Sequence, residues 1–424
     1  MYLFCVRHFN DIDHITPIVW KMKQDNYPVA VYCLNPNYDI QNDHRLNFLK
    51  EQGIIVEFIN NAFDPELGAL HRSMRFLYLW FFAKGKRLNS HYQKKPLLLS
   101  RLARLVVEIM GVILYELTRI SFYNTKWAHN VLENSGAQAL CFDHIMPQRY
   151  VVNVLLRAAK KMSIPTFSLP HGVYLFTNEF TKAKSTVSRR FIKFNRFDYV
   201  IVQNQLRKDV LVRSGVAGEK IFVLGSARYC GEWIAQNKKI MPRLIQSDGK
   251  GTQELKVVFM TSKPQCRVDI GRMLNTFDLL SNLSEIQAMV KPHTRIGARA
   301  KLFNNLPLFN ASGVLTAELC EWADVILVIG SSVMTEALMQ GRSVLYLKYL
   351  HANTTLFEEY GACWTIHNET ELETALQSLR INKMDVPYSD ENVNGFLSEV
   401  VYGGRQKRDV LKDYEQFIVG CTGS

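Results

Sequence analysis

The sequence predicts an α/β protein built from two parallel sheets, and three observations lead there. Short apolar runs rich in Val, Ile and aromatic residues recur along the 424 residues, separated by stretches long enough for a helix. That is the rhythm of repeated βαβ units. There are twelve such runs, too many for one doubly wound sheet of ordinary size. The runs also end repeatedly on polar or cationic clusters, at the sheet edge where open α/β folds gather their ligands. A hydrophobic content of 47% with 21% charged residues is that of a globular chain, not a disordered one.

Taken in order, the first six runs are "YLFCV" (2–6), "VAVYCL" (29–34), "IIVEFI" (54–59), "ALCFD" (139–143), "TFSL" (166–169) and "YVIVQ" (199–203). They define a first domain over 1–204. The next six are "IFVLG" (221–225), "KVVFM" (256–260), "AMVK" (288–291), "VILVIG" (325–330), "VLYLK" (344–348) and "CWTI" (363–366). They define a second domain over 205–385, although no Pro- or Gly-rich linker marks the seam. Residues 386–424 form a C-terminal helical segment. Val410, Leu411, Tyr414 and Phe417 recur there at helical spacing, which predicts a helix packing back on the first domain.

The net charge of +12 is unevenly spread. Residues 71–126 carry eleven Lys or Arg against two Glu, a net of +9 that leaves only +3 for the rest of the chain. The same segment holds "FLYLWFF" (76–82) and an apolar stretch near 97–118 broken by Arg101, Arg104, Glu108 and Glu116. Interrupted in this way it is too short to span a bilayer. It reads as a basic amphipathic insertion, either a core helix with a basic loop or an element that docks on an anionic membrane surface. The sequence opens directly on a strand, so a cytoplasmic location is expected, peripheral to the inner face of the membrane if the insertion docks. The eight cysteines are scattered and form no CxxC pair, which points to free buried thiols and excludes a zinc site or disulfide framework.

Candidate site residues sit at the strand ends. In "VILVIGSSVMTEALMQGRSVLYL" (325–347) a buried strand hands over to a helix through Gly330, Ser331 and Ser332. Gly330 permits the tight turn, Ser332 is the expected N-cap, and Gly341 the expected C′ residue. Amides at such a turn suit a phosphate, and Glu336 one turn later suits vicinal ribose hydroxyls. "VKPHTRIG" sets Lys291, His293 and Arg295 just after another strand, and "MTSKPQ" sets Lys263 after a third. These are donors fit for phosphate or carboxylate. "FDHIMPQR" ends on Asp143 and His144, "SLPHGVY" on His171, and "LGSARYCGEW" offers Ser226, Arg228 and Glu232. Asp143 and Glu232 are the two acidic candidates for a nucleophile and a base. A DxD pair, Asp11 and Asp13, follows the first strand. It is read as a helix cap or acceptor loop and not as a metal site, and His8, Asp13 and His14 are assigned to the acceptor.

The set "LPHG", "LGSARYCGEW", "KPHTR" and "GSSVMTEALMQGRSVLYL" resembles GT-B glycosyltransferases of bacterial surface-polysaccharide assembly, such as those of lipopolysaccharide and capsule. Within them it most resembles the retaining β-Kdo transferases, and more remotely the CDP-glycerol glycerophosphotransferases. The resemblance covers about 165–360. It implies two Rossmann-like domains facing a central cleft, a nucleotide-sugar donor such as CMP-Kdo, and a glycan or lipid-linked acceptor. It further implies Ser331, Ser332 and Glu336 on the donor's phosphate and ribose, with Lys291, His293 and Arg295 on its phosphate or carboxylate. His171 would face the reacting centre, and the chemistry would be double displacement through a carboxylate. Developing charge on the leaving nucleotide can be met by cations and a helix N-terminus, so neither metal nor other cofactor is expected. Polyol-phosphate transfer from a CDP donor is the alternative enzyme reading. A basic nucleic-acid binder is disfavoured, because the charge is confined to one apolar-flanked segment and no binding motif appears.

Overall fold

In a computed structural model, the chain is described over residues 1–63, 123–143, 151–172, 195–245, 254–262, 268–293, 306–406 and 408–422, with isolated positions at 73, 76, 175, 177, 192, 193 and 303. The basic insertion at 71–126 therefore lies almost wholly outside the described residues, as do His144, Lys263 and Arg295.

Two all-parallel sheets carry the fold. The first has the order β3-β2-β1-β4-β5-β6-β7. Its strands are β1 (Tyr2–Val6), β2 (Val29–Cys33), β3 (Ile55–Phe58), β4 (Ala139–Asp143), β5 (Thr166–Leu169), β6 (Tyr199–Val202) and β7 (Ile221–Val223). The second has the order β10-β9-β8-β11-β12-β13. It is formed by β8 (Leu255–Met260), β9 (Ile286–Lys291), β10 (Phe309–Asn310), β11 (Val325–Val328), β12 (Ser343–Leu347) and β13 (Trp364–Ile366). Strands covered by helices on both faces read as continuous apolar runs, and β1, β2, β4, β11 and β12 are buried at every residue. The order reverses between β1 and β4 in one sheet and between β8 and β11 in the other. Those are the points where crossover loops part and leave a crevice.

One boundary is corrected. The seam placed at 204/205 falls inside the first sheet, because β7 pairs with β6 (Val200↔Ile221 through Val202↔Val223). The chain leaves this lobe only after Val223, and the Gly231–Ile240 helix then packs between lobes, touching the His44–Glu51 and Thr316–Trp322 helices. At the far end, the Val410–Gly420 helix lies against the Phe9–Gln24 helix of the first lobe. Tyr414 donates its phenol to the Gly225 carbonyl at 2.9 Å, and Phe417 packs on Phe167, Tyr199 and Phe222. Six of the cysteines are buried and free and Cys421 is half-buried. No helix among the described residues is long and apolar enough to cross a membrane.

Candidate active site

The site is built by register. Cys5 stands opposite Phe142 across β1 and β4, and Asp143 opposite Leu169 across β4 and β5. The residues that follow β1, end β4 and follow β5 therefore emerge side by side at the carboxyl edge. These are Arg7 and His8, Asp143, and His171. The Phe9–Gln24 helix starts at once after β1, with His8 in an extended conformation at its N-cap. Asp11, in its first turn, reaches back to accept the Arg7 backbone N–H at 2.9 Å.

The result is a compact ionic cluster. Asp143 Oδ2 lies 2.5 Å from His171 Nδ1. Asp11 Oδ1 is 3.1 Å from His8 Nδ1 and 3.8 Å from His171 Nδ1. Arg7 Nε donates to Asp11 at 3.1 Å, and its Nη2 is 3.9 Å from Asp143. The Asn10 amide sits over the edge of the His171 ring, 3.2 Å from Nε2. Both carboxyls are fully buried, whereas the His171 and His8 side chains are 30% and 39% exposed. The acids thus stand behind imidazoles that open to the cleft.

Two carboxyls cannot both ionise cheaply in a closed space. Burial pushes the Asp11 carboxyl up to about 7, and the hydrogen bond and charge of Asp143 push the same way against Arg7 and His8. Asp11 is thus the carboxyl that its surroundings drive toward the protonated form. His14 is buried with Nε2 accepting the Gly172 N–H at 2.9 Å. Burial, then Arg228, His171 and Arg45, hold it well below its ordinary value, so it is a neutral prop under the turn that carries His171. Asp11, Asp143 and His171 each offer one ligand atom, all within 4.8 Å of one another. A divalent ion would fit by distance, although the Arg7 guanidinium already lies on the same two carboxyls.

A second cluster joins the lobes. Asp13 Oδ2 pairs with Arg228 at 2.9 Å. Asp13 also pairs with Arg45, which is held by Asp43 at 2.6 Å. Glu336 is 6% exposed behind Arg228, and burial lifts its carboxyl to about 6 against the opposing pull of Arg228. The cavity here is about 50 Å³ and is lined from both lobes by Phe9, Asp13, Arg228, Trp233, Thr316 and Glu336. That is room for a water or two and not for a nucleotide.

Several expectations change in this light. Glu232 is not in the cleft: it is exposed, and the charges around it are Lys21, Asp409 and Asp25. Lys21 is ten residues along the helix from Asp11, about 15 Å at 1.5 Å per residue. Nor does Glu232 pair with Arg228. Asp13 and His14, assigned to an acceptor, are a brace and a buried prop, and only His8 of that trio stays open at the cluster. Ser332 does not cap with its side chain; the Tyr229 phenol hydrogen-bonds it, and Ser331 Oγ accepts the Val333 N–H at 3.4 Å. Gly330 does take the left-handed turn, at φ 69°. Lys291 donates Nζ to the carbonyls of Ser312 and Val314 at 2.8 and 2.6 Å, and burial lowers its ammonium below the usual range. It ties a loop down. The His293 N–H donates to Thr261 Oγ1 at 2.9 Å. Asp143 and His171, named separately as cleft residues, lie side by side, while Arg7, Asn10 and Asp11 were missed as members of their cluster.

No family model and no curated protein matches the chain. Among solved structures it is similar to a UDP-GlcNAc 2-epimerase from Neisseria meningitidis bound to UDP-GlcNAc, at 13% identity and TM-score 0.51 over 99% of both chains. It is also similar to the wall teichoic acid polymerase TagF, at 12% identity and TM-score 0.52 over 99% of this chain and 88% of that one. A co-structure of S. aureus MnaA with UDP gives 12% identity and TM-score 0.51 over 99% of this chain and 97% of that one. At such identities the likeness establishes the fold, which is GT-B: two parallel-sheet α/β lobes about a cleft. It does not single out Kdo transferases.

Proposed function

We propose that this chain is a transferase of cell-surface polysaccharide assembly that moves a group from a nucleotide-activated donor to a hydroxyl of a glycan or lipid-linked acceptor. The observation that carries this reading is the Asp143–His171 pair, a buried carboxylate 2.5 Å behind a half-open imidazole. Asp143 accepts a hydrogen bond from the Nδ1–H and so fixes the tautomer, leaving Nε2 as the base for an incoming hydroxyl. Asn10, with its amide 3.1 Å from Nδ1 and 3.2 Å from Nε2, holds the ring in place. Both acids of the cluster are closed behind the imidazoles, so neither is presented to an anomeric carbon. Direct attack by the hydroxyl fits this better than double displacement. Arg7 supplies the positive charge that a cation would, and the proposed reaction runs without a metal.

The donor stays a proposal at the same level. CMP-Kdo is the donor favoured by the 224–233 motif. Transfer of a polyol phosphate from CDP-glycerol is a second reading, favoured because a base without an open nucleophilic carboxylate serves attack at phosphorus equally well. Incubation with CMP-Kdo, CDP-glycerol and UDP-GlcNAc, following nucleotide release with and without EDTA, separates the readings. Release from one donor, insensitive to EDTA, is expected. His171→Asn should lower kcat by roughly 10²–10⁴-fold with donor binding retained, and full turnover by that variant would end the proposal.

A further inference from the structure

Phe9 is 47% exposed at the first position of its helix, directly after a strand buried at every residue. Single exposed apolar side chains are ordinary, but this one is clamped. The Arg45 guanidinium lies 4.1 Å from the ring centroid, over one face. Arg45 is itself buried, bound to Asp13 and Asp43, and donates to the Phe9 carbonyl at 3.3 Å. The ring therefore has a fixed orientation, with one face backed by a cation and the remaining area given to solvent.

Its position is also specific. In sequence Phe9 falls between His8, whose ring is 6.0 Å from that of His171, and Asn10, whose amide touches His171. Asp13, one turn on and on the same helix face, carries the ion pair to Arg228. Phe9 lines the cavity shared with Thr316 and Glu336 of the other lobe. A rigid aromatic face on the helix turn whose neighbouring residues meet the base is what a sugar ring needs in order to present one hydroxyl: its C–H face packs on the ring while its polar edge reaches toward the imidazole.

We infer that Phe9 is the stacking platform for the acceptor's sugar ring and a specificity-determining residue of the transferase. The inference rests on the reading of His171 as base. Phe9→Ala should raise the acceptor KM by roughly 5–50-fold, the range of an aromatic stacking contact, with donor KM within two-fold. Phe9→Trp should retain activity and add a fluorescence response over the six native tryptophans when titrated with methyl glucoside, methyl galactoside and methyl N-acetylglucosaminide. A response to UDP or CMP alone, or to none of the glycosides, overturns the platform. Combining Phe9→Trp with His171→Asn keeps the two ideas apart. Loss of turnover with the glycoside response intact supports both, and full turnover with that response intact sinks only the base. Loss of turnover in a protein silent to glycosides sinks only the platform.

Discussion

Asp11 and Asp143 are both fully buried, and burial together with the contact between them raises the Asp11 carboxyl. Asp11 rises from the ordinary carboxyl range to about 7, chiefly through burial. A carboxyl raised on folding adds stability at low pH, and that stability is lost as pH climbs through the folded value. Asp11→Asn, which keeps a donor toward Asp143 without an ionisable proton, should therefore gain on the native protein between pH 4 and pH 7. A change of order 2–4 kcal/mol follows from about 1.4 kcal/mol per pKa unit. Thermal melts of both proteins across that range check it, and parallel curves would show that Asp11 does not titrate there. Asp143 and His171 were legible because each ends or follows an apolar run. Asp11 was not, since a carboxylate in a first helical turn reads as a cap, and it does cap Arg7 as well as pair with Asp143. Glu232 was misread for a related reason: "CGEW" follows a strand end, but the helix it opens turns that carboxylate outward.

At the level of elements, periodicity disclosed nearly everything. All twelve apolar runs appear as strands, and among the described residues the omission is β10, two exposed residues at a sheet edge that carry no pattern. The seam was misplaced because β7 is short and nothing in composition shows which sheet it joins. The return of the C-terminal segment depends on Gly225, at φ 85°, where a Cβ would stand 2.3 Å from the Val401 carbonyl. That carbonyl also accepts the Ser226 N–H at 2.7 Å. Gly225→Ala combines a left-handed conformation with a backbone clash and should cost roughly 2–4 kcal/mol; a denaturant midpoint equal to the native one would contradict this. His14→Ala removes the acceptor of the Gly172 N–H and should cost about 1–3 kcal/mol. It should also lower kcat more than it raises either KM, because the turn that carries His171 is loosened.

Over the whole molecule, polar contacts at two places join the lobes beside the packing of the Gly231–Ile240 and Val410–Gly420 helices. Near the site, the Thr177 N–H donates to the Thr354 carbonyl at 3.1 Å and the Leu356 N–H to the Leu175 carbonyl at 2.8 Å. This bridge starts a few residues beyond His171. The other place is Arg228, on the connection between lobes, which pairs with Asp13 on one side and stands before Glu336 on the other. The cavity at this contact, among the described residues, is about 50 Å³, far below the several hundred that a nucleotide-sized ligand fills. A ligand can enter between Arg228 and Glu336 only if the lobes part, with hinge motion about the crossover as the simplest route. Arg228→Met removes the charge while keeping much of the packing. Asp13 retains Arg45, but Glu336 loses the cation facing it, and its buried carboxyl should then take up a proton instead of staying charged. The native closed arrangement should weaken, so small-angle scattering should give a larger radius of gyration for the variant, with circular dichroism unchanged. An identical radius would mean that the Leu175–Leu356 and Thr177–Thr354 bridge and the helix packing close the lobes without Arg228, which then only fills the gap between them.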